Sequence, residues 1–576
     1  MQARRLPRTR FLAASAAAAA LAVSGCTGIT SDDRTGAAES GELTVLSLGP
    51  VATWDPQRLS TAQDIAFAGR VFARTLTAFP AGASGGAQNV EGDLATTAGT
   101  VDRTLKTWSF TLRSGVAWQD GSPVTCEDVR YGVSRSFAQP FATEGLTYPL
   151  AYLDIPRKAD GSSTYPGPYA KDAKGQAAFD KAVSCEGQTV TFRLSTPMAD
   201  FNQVVALPVF APVKQAQDKA GDGTYAVFSN GPYQLRSEWD PSAGGTFERN
   251  PNWDKGSDPI RQAKPVSIHY IEGTESQTAV QQVINDDEAH QRSVTLDSAP
   301  PAMQQHILSD NALKARSVNP SAQFVDYLAP NVSKGVMRNP KAREAFALAT
   351  NREGYVTALG GASAASAAYT LIGPSLPGHN DADPIGSGPA GDAARARAAL
   401  QESGLTLPVK VRVAYRSTPT ADKAMAALSN GWEDAGFAVQ LQPIAKDYFA
   451  EVSAPGRADQ TDVFWANWAP AWPSASTVIP PLFDSRINVT KSGNGRDIGG
   501  FTDEAVNREI TRIGALPDLA SQASAWGALD ASLAKRAIFV ALAQRKALYV
   551  AGSSVTGLRA NEALGGFVDL ATVGVK

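Results

Sequence analysis

The 576-residue chain has little of what metal, redox and nucleophilic chemistry draw on: three cysteines, four histidines and five methionines. His269, His290, His306 and His379 are scattered, with no HExxH pattern and no second ligand type at metal spacing. The absence of a CxxC pair excludes a zinc ribbon or dithiol redox motif. There is no basic excess either. Net charge is −3, and without the four arginines of the first ten residues the remainder is near −7. Such a chain has no cationic surplus to neutralise phosphates, which excludes a nucleic-acid partner. No P-loop is present, so any ATP hydrolysis coupled to this protein belongs to another chain. A run long enough to span a membrane comfortably is also missing, because the Ala-rich stretch 11–23 is too short. Gly82-Ala83-Ser84-Gly85-Gly86 satisfies GxSxG, but it lies in a Gly/Ala loop without the strand and helix of a nucleophile elbow. Ser532 with Lys535, Ser309-Asp310-Asn311 and Lys491-Ser492-Gly493 stand in the wrong order and spacing for the penicillin-binding set. Neither catalysis, a cofactor nor a metal is therefore expected.

What is present is a globular composition, 43% hydrophobic and 19% charged, with 36 prolines and 50 glycines that imply many loops. The length calls for two or three domains. Residues 1–25 read as a targeting segment: Arg4, Arg5, Arg8 and Arg10 precede the apolar run. It closes on Leu21-Ala22-Val23-Ser24-Gly25-Cys26, which resembles a bacterial lipobox with Cys26 as the diacylglycerol acceptor. Two or three acyl chains, at about 0.8 kcal/mol per buried CH₂, anchor stably. The resemblance implies a lipoprotein on the extracytoplasmic face of a bacterial cell membrane, while Arg4-Arg5 leaves the export route open. Residues 26–41 read as a polar tether.

The most informative stretch is 107–137, TWSFTLRSGVAWQDGSPVTCEDVRYGVSRSF. Trp108, Phe110 and Leu112 alternate with polar residues, as in a half-buried strand. Asp120-Gly121 marks a turn. Ser122 is expected as an N-cap with Pro123 in the first helical turn, and Thr125 and Asp128 have capping-box spacing. Val129, Val133 and Phe137 fall at helical spacing.

Over about 26 residues without a gap, this stretch resembles the signature of the extracellular solute-binding proteins of family 5, which supply oligopeptides, dipeptides, nickel chelates and other solutes to ABC importers. Further matches follow in family order. Trp54-Asp55-Pro56 resembles the family's "LDP", and Ser229-Asn230-Gly231-Pro232-Tyr233 its "GTGPY". Residues 340–361, PKAREAFALATNREGYVTALGG, resemble its "P-x-VRQALA" helix. The resemblance implies an α/β, two-lobed periplasmic-binding-protein-like fold of type II with an additional inserted domain. The first lobe is expected from residues 42–80, 214–325 and 540–576, a strand-rich insertion from 81–213, and the second lobe from 326–539. Hinge crossings are expected near 321–331 and 536–546. A helix is expected over 63–76, and a βαβ rhythm over 409–444 marks an α/β lobe. Cys126 and Cys185 lie within the insertion. In an exported protein two such cysteines more often bridge than not, closing a loop of about 60 residues worth on the order of 4 kcal/mol.

The ligand cleft is expected around 462–484, where Trp465, Asn467, Trp468 and Trp472 cluster. Trp offers rigid apolar area that suits a pocket, although core Trp in a buried turn explains the same cluster. In the family's peptide binders an Asp of this stretch holds the ligand's ammonium. Here Trp468-Ala469-Pro470-Ala471-Trp472 places Ala471 at that position. Either another acid serves, with Asp484 the nearest, or the ligand's amine is absent, blocked or solvated. Ser60, Thr61 and Ala62 are implied to line the opposite wall. The expectation is a monomer that binds a peptide-like solute and delivers it to an ABC permease. A nickel chelate or oligosaccharide is the alternative ligand, and a sensing or scavenging receptor the alternative role.

Overall fold

In the first lobe, Leu43, Val45 and Leu46 open the fold as a buried strand, Leu43–Leu46, flanked on both sides by parallel partners. The computed structural model describes residues 41–84, 89–454, 456–488 and 495–576. Cys26 with the segment before it, most of the tether, Gly85-Gly86 and Lys491-Ser492-Gly493 lie outside the described residues. The five-stranded sheet runs Ser293–Thr295, Leu43–Leu46, Ser267–Ile271, Gly244–Arg249, Tyr233–Leu235. Trp54 anchors its core among Phe67, Phe72, Trp239, Phe247 and Tyr270, with ring centroids 5.1–5.9 Å away.

The helix expected over 63–76 is Ala62–Val71. It stops early because Asn230 replaces the next helical turn: its Oδ1 accepts from Arg74 N at 2.8 Å and its Nδ2 donates to Arg74 O at 3.2 Å. Gly231 is required beside it, since a Cβ there would stand 2.9 Å from Phe72 Cα and Val71 O. The motif 229–233 thus serves as a helix stop.

Residues 91–210 carry an antiparallel four-stranded sheet, Thr100–Val101, Thr107–Thr111, Thr189–Arg193, Val183–Glu186, with helices packed around it. Trp108 and Phe110 are buried and their neighbours are not, as the alternation requires. The expected N-cap at Ser122 is corrected. Asp120 Oδ1 accepts from Ser122 N at 2.9 Å in a local turn, and the chain forms a small hairpin, with Val124 N donating to Val116 O. The helix is Cys126–Arg135, capped by Thr125 in a reciprocal capping box with Asp128. Cys126 and Cys185 form a disulfide that ties this helix to the sheet.

Arg135, at the end of that helix, is buried and pairs with Asp55 of Trp54-Asp55-Pro56, Nη2 to Oδ2 at 2.5 Å, and with Asp218 at 3.1 Å. Burial opposes its charge, but the two carboxylates prevail and hold its pKa above the ordinary guanidinium value. Two sequence motifs 80 residues apart therefore meet in one ion pair. A second buried cluster, Arg74–Asp93–Arg261–Asp258, joins the start of the insertion to the first lobe at 2.7–3.1 Å.

The second lobe is built on a six-stranded mixed sheet, ordered Ala365–Ala367, Val540–Lys546, Ser321–Pro330, Val463–Trp468, Val409–Arg416, Phe437–Ile444. The last two strands are parallel and joined by helix Pro419–Ala435, the βαβ unit read from the sequence. Asn339 caps helix Pro340–Leu348. Arg352 is buried and pins the strand Val540–Lys546 by donating to Ala541 O at 2.8 Å.

The expected boundaries near 325 and 540 fall on two strands that pair in one sheet. Both Ser321–Pro330 and Val540–Lys546 lie wholly within the second lobe's sheet. The chain leaves and re-enters the first lobe at 318–321 and 546–549, where the two crossings run side by side. Val318 pairs with Tyr549 and Ser321 with Lys546. Between those pairs Asn319 Nδ2 donates to Ala547 O at 2.7 Å, and Ala547 N to Pro320 O at 3.1 Å. The described residues form one compact unit, and among them no helix is long and apolar enough to cross a membrane.

Candidate functional site

The second lobe's strand Val463–Trp468 points at the opening between the lobes. Its ladder with Ser321–Pro330 is complete from Val463 to Trp468, but its parallel ladder with Val409–Arg416 stops at Ala414 and Phe464. From Trp465 onward one strand edge thus has no strand neighbour among the described residues. Two cavities of about 530 Å³ each lie beside it. Successive side chains of a strand face opposite ways, so Trp468 lines the first cavity while Trp465 and Asn467 line the second. Gln323 and Gly565 line both.

The first cavity has walls from both lobes and from the insertion. Trp468, Ala469, Ala471 and Trp472 form one side, Ser60 and Ala62 the facing side, and Tyr148 and Tyr152 a third. Thr61, between Ser60 and Ala62, is the N-cap of helix Ala62–Val71, its Oγ1 accepting from Asp64 N at 3.3 Å. The turn after Trp468 is fixed by Thr477: Trp468 Nε1 donates to Thr477 O at 2.8 Å, and Ala471 N to Thr477 Oγ1 at 3.2 Å.

Trp472 leaves its own lobe. Its ring packs edge-on against Tyr148 and Tyr152, with centroids 5.3 and 6.2 Å away, inside the insertion's apolar core. Its Nε1 donates to Asp200 Oδ2 at 2.9 Å, and Ser476 Oγ donates to the same oxygen at 2.7 Å. Asp200 belongs to the insertion and is buried. Trp465 Nε1 donates to Tyr355 OH at 3.0 Å. All three indole N–H groups are thus committed to protein acceptors, and what they offer the cavities is ring surface. The two readings of the Trp cluster merge: Trp472 is core, and Trp468 is wall.

Asp484, the acid nearest Ala471 in sequence, does not line the cavity. It is held by Arg486, whose Nη2 and Nε lie 2.6 and 2.8 Å from its carboxylate. Arg496 does line the cavity, its guanidinium 5.8 Å from the Trp468 ring centroid. Burial pushes the Tyr148 phenol up, and the Arg496 charge partly opposes that.

In the second cavity Asp326 is buried, accepts from Tyr355 OH at 3.0 Å and lies 3.6 Å from Arg545. Burial raises its pKa to about 6 against the pull of Arg545 and Tyr355. Asp200, Arg496, Tyr148, Tyr152 and Asp326 were not singled out from the sequence. None sits in a motif: Tyr148 and Tyr152 share the helix Tyr148–Tyr152, Arg496 and Asp326 reach their cavities from separate segments, and Asp200 lies against Trp472. Among the described residues no group of three or more His, Cys, Asp or Glu could hold a metal ion.

A family model described as bacterial extracellular solute-binding proteins, family 5 Middle, matches residues 89–489. The dipeptide-binding protein DppE of Bacillus subtilis (strain 168) is 27% identical over 259 residues, 44% of this chain and 42% of DppE. The match to the oligopeptide-binding protein OppA of the same organism is 28% identical and covers 28% of this chain and 29% of OppA. The chain thus spans well under half the length of these two relatives. The periplasmic murein peptide-binding protein MppA of Escherichia coli (strain K12) aligns over 70% of this chain and 71% of its own, at 21% identity. Among solved structures, clavulanic acid biosynthesis oligopeptide binding protein 2 superposes with a TM-score of 0.81 at 26% identity, covering 93% of this chain and 95% of that one. The unliganded open form of MppA gives 0.71 at 18% identity, over 93% and 98%. The architecture is that of these proteins: α/β and two-lobed.

Proposed function

Because the chain belongs to the bacterial extracellular solute-binding proteins of family 5, we propose that it captures a peptide-like solute between its lobes and delivers it to an ABC import permease. The observation that carries this reading is the strand edge from Trp465 to Trp468, which has no strand neighbour among the described residues and runs between two cavities. An extended peptide can add to such an edge by main-chain hydrogen bonds, with its side chains in the flanking spaces. Ser60 and Ala62 of the first lobe, with Asn467, Trp468, Ala469, Ala471 and Trp472 of the second, are the proposed contacts, and Thr61 supports the first wall as a helix cap. A ligand that touches both lobes stabilises their closed arrangement, and the closed form is what a permease recognises. Cys26 would carry the lipid anchor and hold the protein, as a monomer, on the outer face of the membrane. ATP hydrolysis would fall to a separate chain. The role is binding, not catalysis.

Native mass spectrometry of the full chain, purified in detergent from its own host, tests this. A co-purified peptide is the expected result. A sugar or metal chelate would overturn the peptide assignment and leave the fold. The same spectrum reads the anchor as an acyl mass on Cys26.

A further inference from the structure

Among the described residues four charged side chains border the first cavity: Arg70, Arg261, Arg496 and Glu562. Two are spent. Arg70 pairs with Asp569 at 2.9 Å, and Arg261 is held between Asp93 and Asp258 at 2.7 and 3.1 Å. Glu562 belongs to the first-lobe wall at the hinge crossing, where its Oε1 accepts from Ser321 N at 3.0 Å. Arg496 differs from all of these. It stands over Trp468, and no carboxylate lies within ion-pair distance of it among the described residues.

The acids that could receive an ammonium at the 468–472 turn are absent or taken. Position 471 is Ala, Asp484 is clamped by Arg486, and Asp200 is occupied by Trp472 and Ser476. An ammonium entering at this turn would meet a like charge and find no counter-ion there among the described residues, and burying an unpaired ammonium is costly. A carboxylate would find a planar, permanently charged donor fork beside the Trp468 ring, on a side chain that is itself exposed.

We infer that the aromatic cavity receives an anionic end of the ligand, a carboxylate held by Arg496, and that the ligand carries no free ammonium at the 468–472 turn. This rests on the reading of the cleft as a solute site. The ligand class is an amphipathic carboxylate, such as a peptide acid whose amine is acylated.

Isothermal titration of the full chain in detergent with two probes tests it: N-acetyl-Ala-Phe-Ala with a free carboxylate, and Ala-Phe-Ala amide with a free amine. The acetylated acid is expected to bind at least tenfold tighter. Arg496→Gln is expected to weaken the acid tenfold or more and leave the amide unchanged, while Arg496→Lys, which keeps the charge but loses the planar fork, recovers only part of the affinity. Tighter binding of the amide, or an Arg496→Gln variant that binds the acid as before, overturns the inference and leaves the peptide reading standing. A loss of amide affinity in Glu562→Gln would show the amine held on the first lobe and likewise overturn it. If neither probe binds, the peptide reading fails and the inference with it.

Discussion

Asp200 is the sharpest place to perturb the arrangement of the lobes. It belongs to the insertion, yet its Oδ2 accepts from Trp472 Nε1 and Ser476 Oγ of the second lobe at 2.9 and 2.7 Å, and the residue is only 2% exposed. Hydrogen bonds to a charged acceptor contribute about 1.5–3 kcal/mol each. The two share one oxygen, and the carboxylate regains water when the lobes part, so their joint contribution to the closed arrangement is about 2–4 kcal/mol. At about 1.4 kcal/mol per tenfold, Asp200→Ala lowers the closed-to-open ratio by about 30- to 700-fold. Where only the closed form holds ligand tightly, affinity falls with that population. Asp200→Asn keeps an acceptor oxygen at the same place and loses only the charge, so its effect is about tenfold. Small-angle scattering of the protein without residues 1–40, with titration of a bound peptide, reads both quantities. The radius of gyration should rise and the affinity fall in the order wild type, Asn, Ala. An Ala variant with unchanged radius and affinity would refute the reasoning, because the Trp472 contact would then contribute nothing to lobe closure.

Three further outcomes are expected. Asp497 and Asp530 are buried, and burial raises each to about 7. A carboxyl whose folded pKa exceeds its unfolded value binds more protons in the native state between about pH 4 and 7. Stability from these groups therefore falls as pH rises through that window, by at most about 1.4 kcal/mol per unit for each. Urea midpoints should be higher at pH 5 than at pH 8, and Asp530→Asn should flatten the difference. Replacing Cys126 and Cys185 together by Ala frees a 59-residue separation and should cost about 4 kcal/mol in the chain-entropy model, read as a lower urea midpoint. Asp55→Ala leaves Asp218, at 3.1 Å, as the one carboxylate paired with buried Arg135 among the described residues, and should destabilise by about 3 kcal/mol in the same assay. Arg135→Met with Asp55→Leu should recover part of that loss, because a matched apolar pair carries no desolvation cost.

Local order fixed much of the structure without help from the fold. The alternation Trp108, Phe110 makes a strand with one wet face, and Thr125 with Asp128 makes a reciprocal cap, because both depend on neighbours within four residues. The family motifs pointed to the α/β, two-lobed architecture for a related reason: each is a contiguous run. Where local signals competed, the sequence could not arbitrate. Ser122 is a good cap by type, but Asp120 claims it for a turn. The helix after Ala62 ends at Val71 because Asn230, more than 150 residues away, takes the backbone of Arg74.

The site divides the same way. Trp465, Asn467, Trp468 and Trp472 could be read as one cluster, but only the pleat of the strand sends Asn467 and Trp468 to different cavities. Sequence distance made Asp484 the natural counter-ion. In three dimensions Arg486 holds it, while Arg496 and Asp200 come to the turn from positions no spacing rule connects to it. The sequence alone determined which elements form and which family's architecture they build, since those follow from short-range preference and ordered motifs. Only the tertiary structure decided which charges stay unpaired in the cleft, because ion pairing depends on distances that the chain closes across hundreds of residues.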